Sequence, residues 1–219
     1  TKDAEVLSGH LQTAFASLQS FYAGALGVGF MNILFSSLLN RPAEVVEGTL
    51  KGGIKIVPEK YDLEKLIHQG VLSTNPEDEN YFEEKSRRIE MRKVSPKNFY
   101  QIAQMILFSA SQNAFSRGGQ TLFIDYNIHT GVPGYMKEVP AIGPGGKYIV
   151  QMPDGTAKMI DDVPRFNNPE DKEDPRNGDA DSSQLSGDLK GGKIITYGHL
   201  EPTAQEFAKV LLRAWGEGD

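Results

Sequence analysis

Not one cysteine occurs among the 219 residues of the chain. Disulfides, thiolate nucleophiles and cysteine ligation of zinc or an iron–sulfur cluster are therefore excluded within this polypeptide. Basic blocks are missing too. Lys and Arg number 23 against 29 Asp and Glu, a net charge of −6, and the pI lies near 5.3. That balance argues against a general nucleic-acid binder. Nor is there a long apolar run. The nearest candidate, residues 23–39, contains Asn32, three glycines and two serines. It is too short to span a bilayer comfortably, so it reads as core and not as a membrane segment. The chain opens Thr-Lys-Asp-Ala-Glu, with no apolar leader, which points to the cytoplasm. His10, His68, His129 and His199 lack metal-ligand spacing and read as ordinary surface or packed residues. No Gly-x-Ser-x-Gly elbow or His-Glu-x-x-His motif occurs.

What is present is helical periodicity broken by short apolar runs. Leu7, Leu11, Phe15, Leu18 and Tyr22 recur at spacings of three and four, predicting an amphipathic helix over 3–22. Glycines at 24, 27 and 29 suit a buried strand or a crowded strand-to-helix turn. Residues 31–39 predict a short apolar helix ended by Asn40-Arg41-Pro42. Residues 54–57 are a strand candidate, and 61–69 a helix with Gly70 as its C-cap. The densely charged stretch 75–93 reads as a solvated helix or loop. Ser95-Pro96 starts a helix whose buried face is Phe99, Ile102, Ala103, Ile106 and Ala110. Residues 121–128 predict a strand.

Residues 151–193 scatter acids among Pro, Asn and Gly and read as an exposed insertion, partly ordered at best. They lack the Asp-x-Asp-x-Asp-Gly pattern of a calcium loop. A last helix, 201–215, places Phe207, Val210, Leu211, Ala214 and Trp215 on one face. Strands interleaved with helices predict an α/β fold with a mainly parallel sheet.

The stretch Ser116-Arg117-Gly118-Gly119-Gln120, between helix and strand, carries the most unusual chemistry. Its glycines lack the Lys and Ser/Thr of a P-loop and precede a strand instead of opening a helix, so a phosphate cradle is excluded. Arg117 fits either a phosphate or carboxylate partner, through its planar fork, or a buried role satisfying backbone carbonyls. Asp125, Asn127 and His129 alternate and so share one face of the strand, either ligand-facing or solvent-facing.

Three segments, AEVLSGHLQTAFASLQSFYAGALGVGFMNILFSSLL (4–39), QIAQMILFSASQNAFSRGGQTLFIDYNIHTGVPGYMKEVPAIGPGGKY (101–148) and TYGHLEPTAQEFAKVLLRAWGEGD (196–219), resemble in this order the class III anaerobic ribonucleoside-triphosphate reductases. The blocks QNAFSRGGQTLFIDYN and TYG…EGD are the more specific. The resemblance implies a ten-stranded α/β barrel built from two half-barrels, with this chain a single partial α/β barrel domain, 1–219. The segments of about 41–95 and 151–193 would be insertions. It further implies a glycyl radical, installed by a radical-SAM activating enzyme, that passes to a barrel cysteine. The resulting thiyl abstracts the ribose 3′-hydrogen, and a second cysteine or formate supplies reducing equivalents. A cysteine-ligated zinc supports the radical domain, and allosteric nucleotides bind near a homodimer interface.

Ser116, Arg117, Gly119, Gln120 and Asn127 would then lie at or near the barrel interior, where glycine permits close approach of the substrate or the radical loop. His10, Gln12 and Gln19 would lie on the effector and dimer surface. The chain departs from the family pattern in having no cysteine and no recognisable glycyl-radical loop. By this reading no catalytic residue and no bound cofactor belong to the chain itself. Radical glycine, zinc and cysteines are expected on the remainder of the reductase, with nucleoside triphosphates as ligands and neither membrane nor nucleic acid as partner. The chain would be a split-gene subunit, a fragment, or a portion of a longer polypeptide. The competing expectations are a non-catalytic nucleotide-binding regulatory module of the same fold, and an assembly protein that shares only the fold.

Overall fold

The computed structural model describes residues 1–18, 25–113, 124–167, 170, 173 and 177–218, the side chains of 109–113 excepted. Helix α1 (Ala4–Leu18) starts where the Asp3 carboxylate accepts the Val6 N–H at 2.8 Å, filling one of the donors that a helix start leaves unpaired. It buries Ala4, Ser8 and Phe15, with Leu7 and Leu11 packed beside them. The glycine-rich stretch contributes strand β1 (Leu26–Val28), and helix α2 (Met31–Leu39) follows immediately. All of α2 except Leu34 is buried, as a helix apolar on nearly every side must be. No helix among the described residues is long and apolar enough to cross a membrane.

Strand β2 (Asn40–Leu50) leaves α2 without a loop. A short strand β3 (Lys55–Ile56) pairs along one edge of β2, and helix α3 (Lys60–His68) packs below. Gly70 takes a left-handed φ of 71° after α3, in keeping with the expected C-cap. Strand β4 (Phe82–Lys93) then runs antiparallel to β2 from Leu50↔Phe82 to Asn40↔Lys93, with one bulge at Glu47/Gly48.

The charged stretch 75–93, expected as solvated helix or loop, is therefore mostly a twelve-residue strand. Its charges stand on the ladder as cross-strand and neighbouring ion pairs. Arg88 donates to Glu47 at 2.8 Å and to Glu90 at 3.0 Å, and Arg92 pairs with Glu90 at 2.6 Å. The hairpin is anchored by a small core of Val46, Leu63, Leu72 and Phe82.

Helix α4 (Pro96–Asn113) begins as expected, Ser95 Oγ accepting the Asn98 N–H at 3.3 Å. Phe99, Ile102, Ala103 and Ile106 are buried as the spacing predicts. Strand β5 (Ile124–Tyr126) pairs parallel to β1. A second antiparallel sheet, β7-β6-β8, comprises β6 (Tyr148–Gln151), β7 (Ala157–Ile160) and β8 (Lys193–Ile194). It closes on Val150, Val163, Leu185 and Ile194, so Val163 and Leu185 pack the described part of 151–193 against the residues that flank it, and that part is more ordered than its composition suggests.

Helix α5 (Glu201–Glu217) crosses both α2 and α4. Phe207 lies 5.6 Å from Phe35 in a stacked pair and 6.0 Å from Phe99 edge-on. Trp215, expected on the buried face, is 62% exposed, because the buried stripe follows Ala204, Phe207, Ala208, Leu211 and Ala214 and leaves Trp215 just outside it.

The fold is mixed α/β. Among the named strands only β1–β5 is a parallel ladder, so the expected mainly parallel sheet is corrected to one parallel pair beside two antiparallel sheets. The long β2–β4 pair accounts for the difference: the two strands run antiparallel, so the connection through β3 and α3 returns at the same end of the sheet and is not a crossover. No closed barrel forms among the described residues.

Candidate functional site

The parallel pair has two different faces. Gly27 stands opposite Asp125 and Val28 opposite Tyr126, so alternation sends Val28 and Tyr126 one way and Gly27, Asp125 and Asn127 the other. Val28, Tyr126 and Ile128 pack into the core formed with α1, α2, α4 and α5. Tyr126 meets Phe15 edge-on at 6.3 Å and donates to the Ile106 carbonyl at 3.3 Å. Burial pushes its phenol up to about 12. On the opposite face Gly27, Asp125 and Asn127 are exposed. A Cβ added at Gly27 or Gly29 would meet none of the described residues within 4 Å. This face is bare backbone flanked by a carboxylate and an amide.

Beyond the carboxyl ends of both strands the chain is fastened in several places. Phe30, between β1 and α2, adopts the left-handed region (φ 55°, ψ 28°). Among the described residues it is the only non-glycine with positive φ. The next turn of α2 contributes Asn32, fully buried. Its Oδ1 accepts the His129 N–H at 2.9 Å, while its Nδ2 donates at 2.9 Å to the carbonyls of His129 and Ala204. One amide thereby ties the exit of β5 to α2 and α5.

Further along the same loop, Glu201 Oε1 accepts the Val132 N–H at 3.0 Å, and Gln205 Nε2 donates to the Thr130 carbonyl at 2.9 Å. The Thr196-Tyr197-Gly198 segment pins the far side: Gly198 N–H donates to Lys137 O and Tyr197 N–H to Val139 O, both at 3.0 Å. A Cβ on Gly198 would stand 2.6 Å from the Lys137 carbonyl oxygen, so the glycine permits a backbone approach that no other residue allows. Next to it the backbone N–H of Thr196 donates at 3.0 Å to His199 Nδ1. Burial, with Lys193 adding to it, holds His199 below its ordinary value against the opposing charge of Glu138.

The candidate residues distribute unevenly over this arrangement. Asn127 is exposed on the bare face, which the ligand-facing and the solvent-facing expectation both allow, and its backbone N–H donates to Val28 O at 2.9 Å. Ser116, Arg117, Gly119 and Gln120 lie outside the described residues, as does Gln19. His10 is exposed on α1, and Gln12 donates to the Met105 carbonyl at 3.0 Å, bracing α1 against α4. His129 does not continue the row of Asp125 and Asn127, because the chain leaves the strand after Tyr126 and its ring turns to Phe30, 4.7 Å away and 10° from parallel. Sequence reasoning missed Asn32, Glu201 and Gln205. A lone Asn inside an apolar run was the available signal, since a buried amide needs partners.

An open cleft of about 1020 Å³ lies elsewhere, where α1 begins beside α3 and the start of α4. Its cations Lys2, Arg41, Lys65 and Lys93 are matched by Asp3, Glu5, Glu59 and Asp62, so it presents no field of one sign.

The three resembling segments thus converge on one loop: Asn32 from the first, residues 129–139 from the second, and Tyr197 to Gln205 from the third. A family model described as anaerobic ribonucleoside-triphosphate reductase matches residues 1–219. The chain belongs to that family. No curated protein and no solved structure matches it significantly. Membership in the anaerobic ribonucleoside-triphosphate reductases implies a part in anaerobic ribonucleotide reduction. The residues present do not fit a cysteine-ligated zinc, for the chain has no cysteine. Among the described residues no group of three or more His, Asp or Glu could hold a metal ion.

Proposed function

We propose that this chain forms part of the substrate-facing wall of an anaerobic ribonucleotide reductase, with the bare face of β1–β5 turned toward the nucleotide. The observation that carries this reading is the two-faced parallel pair: one side packed into the core, the other exposing Gly27, Asp125 and Asn127, with no described residue within 4 Å of a Cβ built at Gly27. In sheets of parallel strands ligands gather outside the carboxyl ends, and glycine on a strand face admits close approach of another group. Asn127 supplies an amide donor and acceptor there, and Asp125 a carboxylate acceptor. A closed barrel completed by further strands would turn this face inward.

The radical chemistry that goes with such a wall needs groups the chain does not have. A thiyl and its cysteine partner must come from elsewhere in the reductase, since the chain has no cysteine. The glycyl radical, the zinc site, the activating enzyme and the homodimer are assigned to the same remainder. This chain's own part is to position the nucleotide and to exclude bulk from the face on which the chemistry occurs. Ser116, Arg117, Gly119 and Gln120, immediately before β5, are assigned to the same interior, and His10, Gln12 and Gln19 to an effector and dimer surface.

The test is anaerobic nucleotide reduction by the complete, activated reductase carrying Asn127→Ala. Loss of a hydrogen bond to bound substrate should lower kcat/KM about tenfold or more. Unchanged kcat/KM would remove Asn127, and with it this face, from the site.

A further inference from the structure

Phe30 holds a backbone conformation that a residue with a Cβ adopts at a cost, and such outliers gather where function requires them. The left-handed turn carries its ring over the exit of β5. There it stacks on His129 at 4.7 Å and meets Tyr135 at 6.3 Å, 83° from parallel. Tyr135 is nevertheless 72% exposed. A single exposed tyrosine is ordinary. This one sits on a loop held by Asn32, Glu201, Gln205 and the Gly198 backbone, with a ring pair behind it. A loop pinned at so many points is a rigid support. The side chain it leaves in solvent is a flat, preoriented aromatic surface at the carboxyl end of the parallel pair.

We propose that Tyr135 is the surface on which the planar base of the nucleotide stacks, with Phe30 and His129 as positioning residues that fix the angle of its ring. This inference rests on reading the β1–β5 face as the substrate side, with the sugar at Gly27–Asn127 and the base beyond it toward Tyr135. Stacking on an aromatic ring tolerates every base, because each has a π-face. Tyrosine adds this area with little side-chain freedom to lose.

The experiment measures KM and kcat for each ribonucleoside triphosphate with the complete, activated reductase at saturating effector. Tyr135→Ala is expected to raise KM about tenfold, more for purines than for pyrimidines, with a smaller change in kcat. Tyr135→Phe, which keeps the ring, should return KM toward the wild-type value. Phe30→Gly relaxes the backbone but removes the brace, and should raise KM in the same order of bases.

Unchanged KM in Tyr135→Ala overturns the stacking surface. If Asn127→Ala is impaired in that case, the reading of the bare face stands without it. A raised KM in Tyr135→Ala beside a normal Asn127→Ala overturns the bare face and, with it, the placement of sugar and base argued from that face. An equal rise for Tyr135→Phe and Tyr135→Ala also overturns stacking, since the hydroxyl and not the ring would then be responsible.

Discussion

Asn32 and His129 hold each other in both directions: the Asn32 amide accepts the His129 N–H and donates to the His129 carbonyl, each at 2.9 Å. This is the pattern one strand offers another, made here by a side chain, and it replaces a third strand where β5 ends. The Nδ2 group's second bond, to the Ala204 carbonyl, brings α5 into the same joint. Asn32 is thus the residue through which the helix after β1 fixes the loop after β5.

Replacing Asn32 by Leu should therefore cost more than its size suggests. The leucine keeps volume but leaves the His129 N–H and two carbonyls without this partner in a buried setting. We expect a loss of roughly 2–4 kcal/mol, taking each unmet group at about 1–3 kcal/mol with partial relaxation. The urea midpoint of unfolding checks this. A change under about 0.5 kcal/mol would mean that water replaces the amide.

Stability should also fall in mild acid through His199. Its Nδ1 accepts the Thr196 N–H only while the ring is neutral, and burial together with Lys193 lowers its pKa in the folded state. The unfolded chain binds that proton more readily. The contribution is then full above the ordinary histidine value of about 6.5 and is lost as pH falls from there through the lowered folded value. Unfolding free energies between pH 7.5 and 5 should slope less in His199→Asn, whose side-chain oxygen accepts the same hydrogen bond without titrating. Equal slopes in the two proteins would exclude His199 as the cause.

The opposite limit is set by Tyr126. Its phenol is neutral in the fold, raised by burial to about 12 against about 10 when unfolded. Its contribution is present below pH 10 and disappears as pH rises toward 12. Absorbance at 295 nm should show a late-titrating tyrosine that Tyr126→Phe removes, with the alkaline unfolding midpoint moving up. A titration unaffected by that substitution would contradict the burial of the ring.

How much of this was legible in the sequence depended on whether one element sufficed to make the pattern. The helices α1, α2, α4 and α5 announced themselves, because 3.6-residue periodicity and a Ser-Pro start are local properties. Strand β4 did not. Glu83, Glu84, Lys85, Arg87 and Arg88 resemble a solvated helix until β2 supplies Glu47 and Glu44 as cross-strand partners. The same holds for the site. Asn127 could be read from strand alternation, whereas Glu201 and Gln205 look like exposed polar residues of a terminal helix until Thr130 and Val132 fold against them. Trp215 was misplaced for a related reason: the choice between neighbouring helical stripes is made by α2 and α4, not by α5 alone.

Two glycines allow fold and function to be separated. At Gly48 a Cβ would stand 2.3–2.4 Å from the Phe82 ring and 2.5 Å from the Glu83 carbonyl. Gly48→Ala must shift the bulge of the β2–β4 hairpin and should destabilise the protein by about 1–3 kcal/mol, with activity falling only as the folded fraction does. At Gly27 a Cβ meets none of the described residues within 4 Å, and the residue is opposite Asp125 on the bare face. Gly27→Val should leave stability within about 0.5 kcal/mol, since a β-branched residue suits a strand. Its methyl groups would instead occupy the space assigned to the nucleotide. Displacement of a substrate by about 1 Å can lower turnover on the order of 100-fold, and we expect a loss of that size in the complete reductase. Thermal unfolding beside anaerobic turnover checks both variants. A Gly27→Val protein that is stable and fully active would show that the bare face looks onto solvent and not onto substrate.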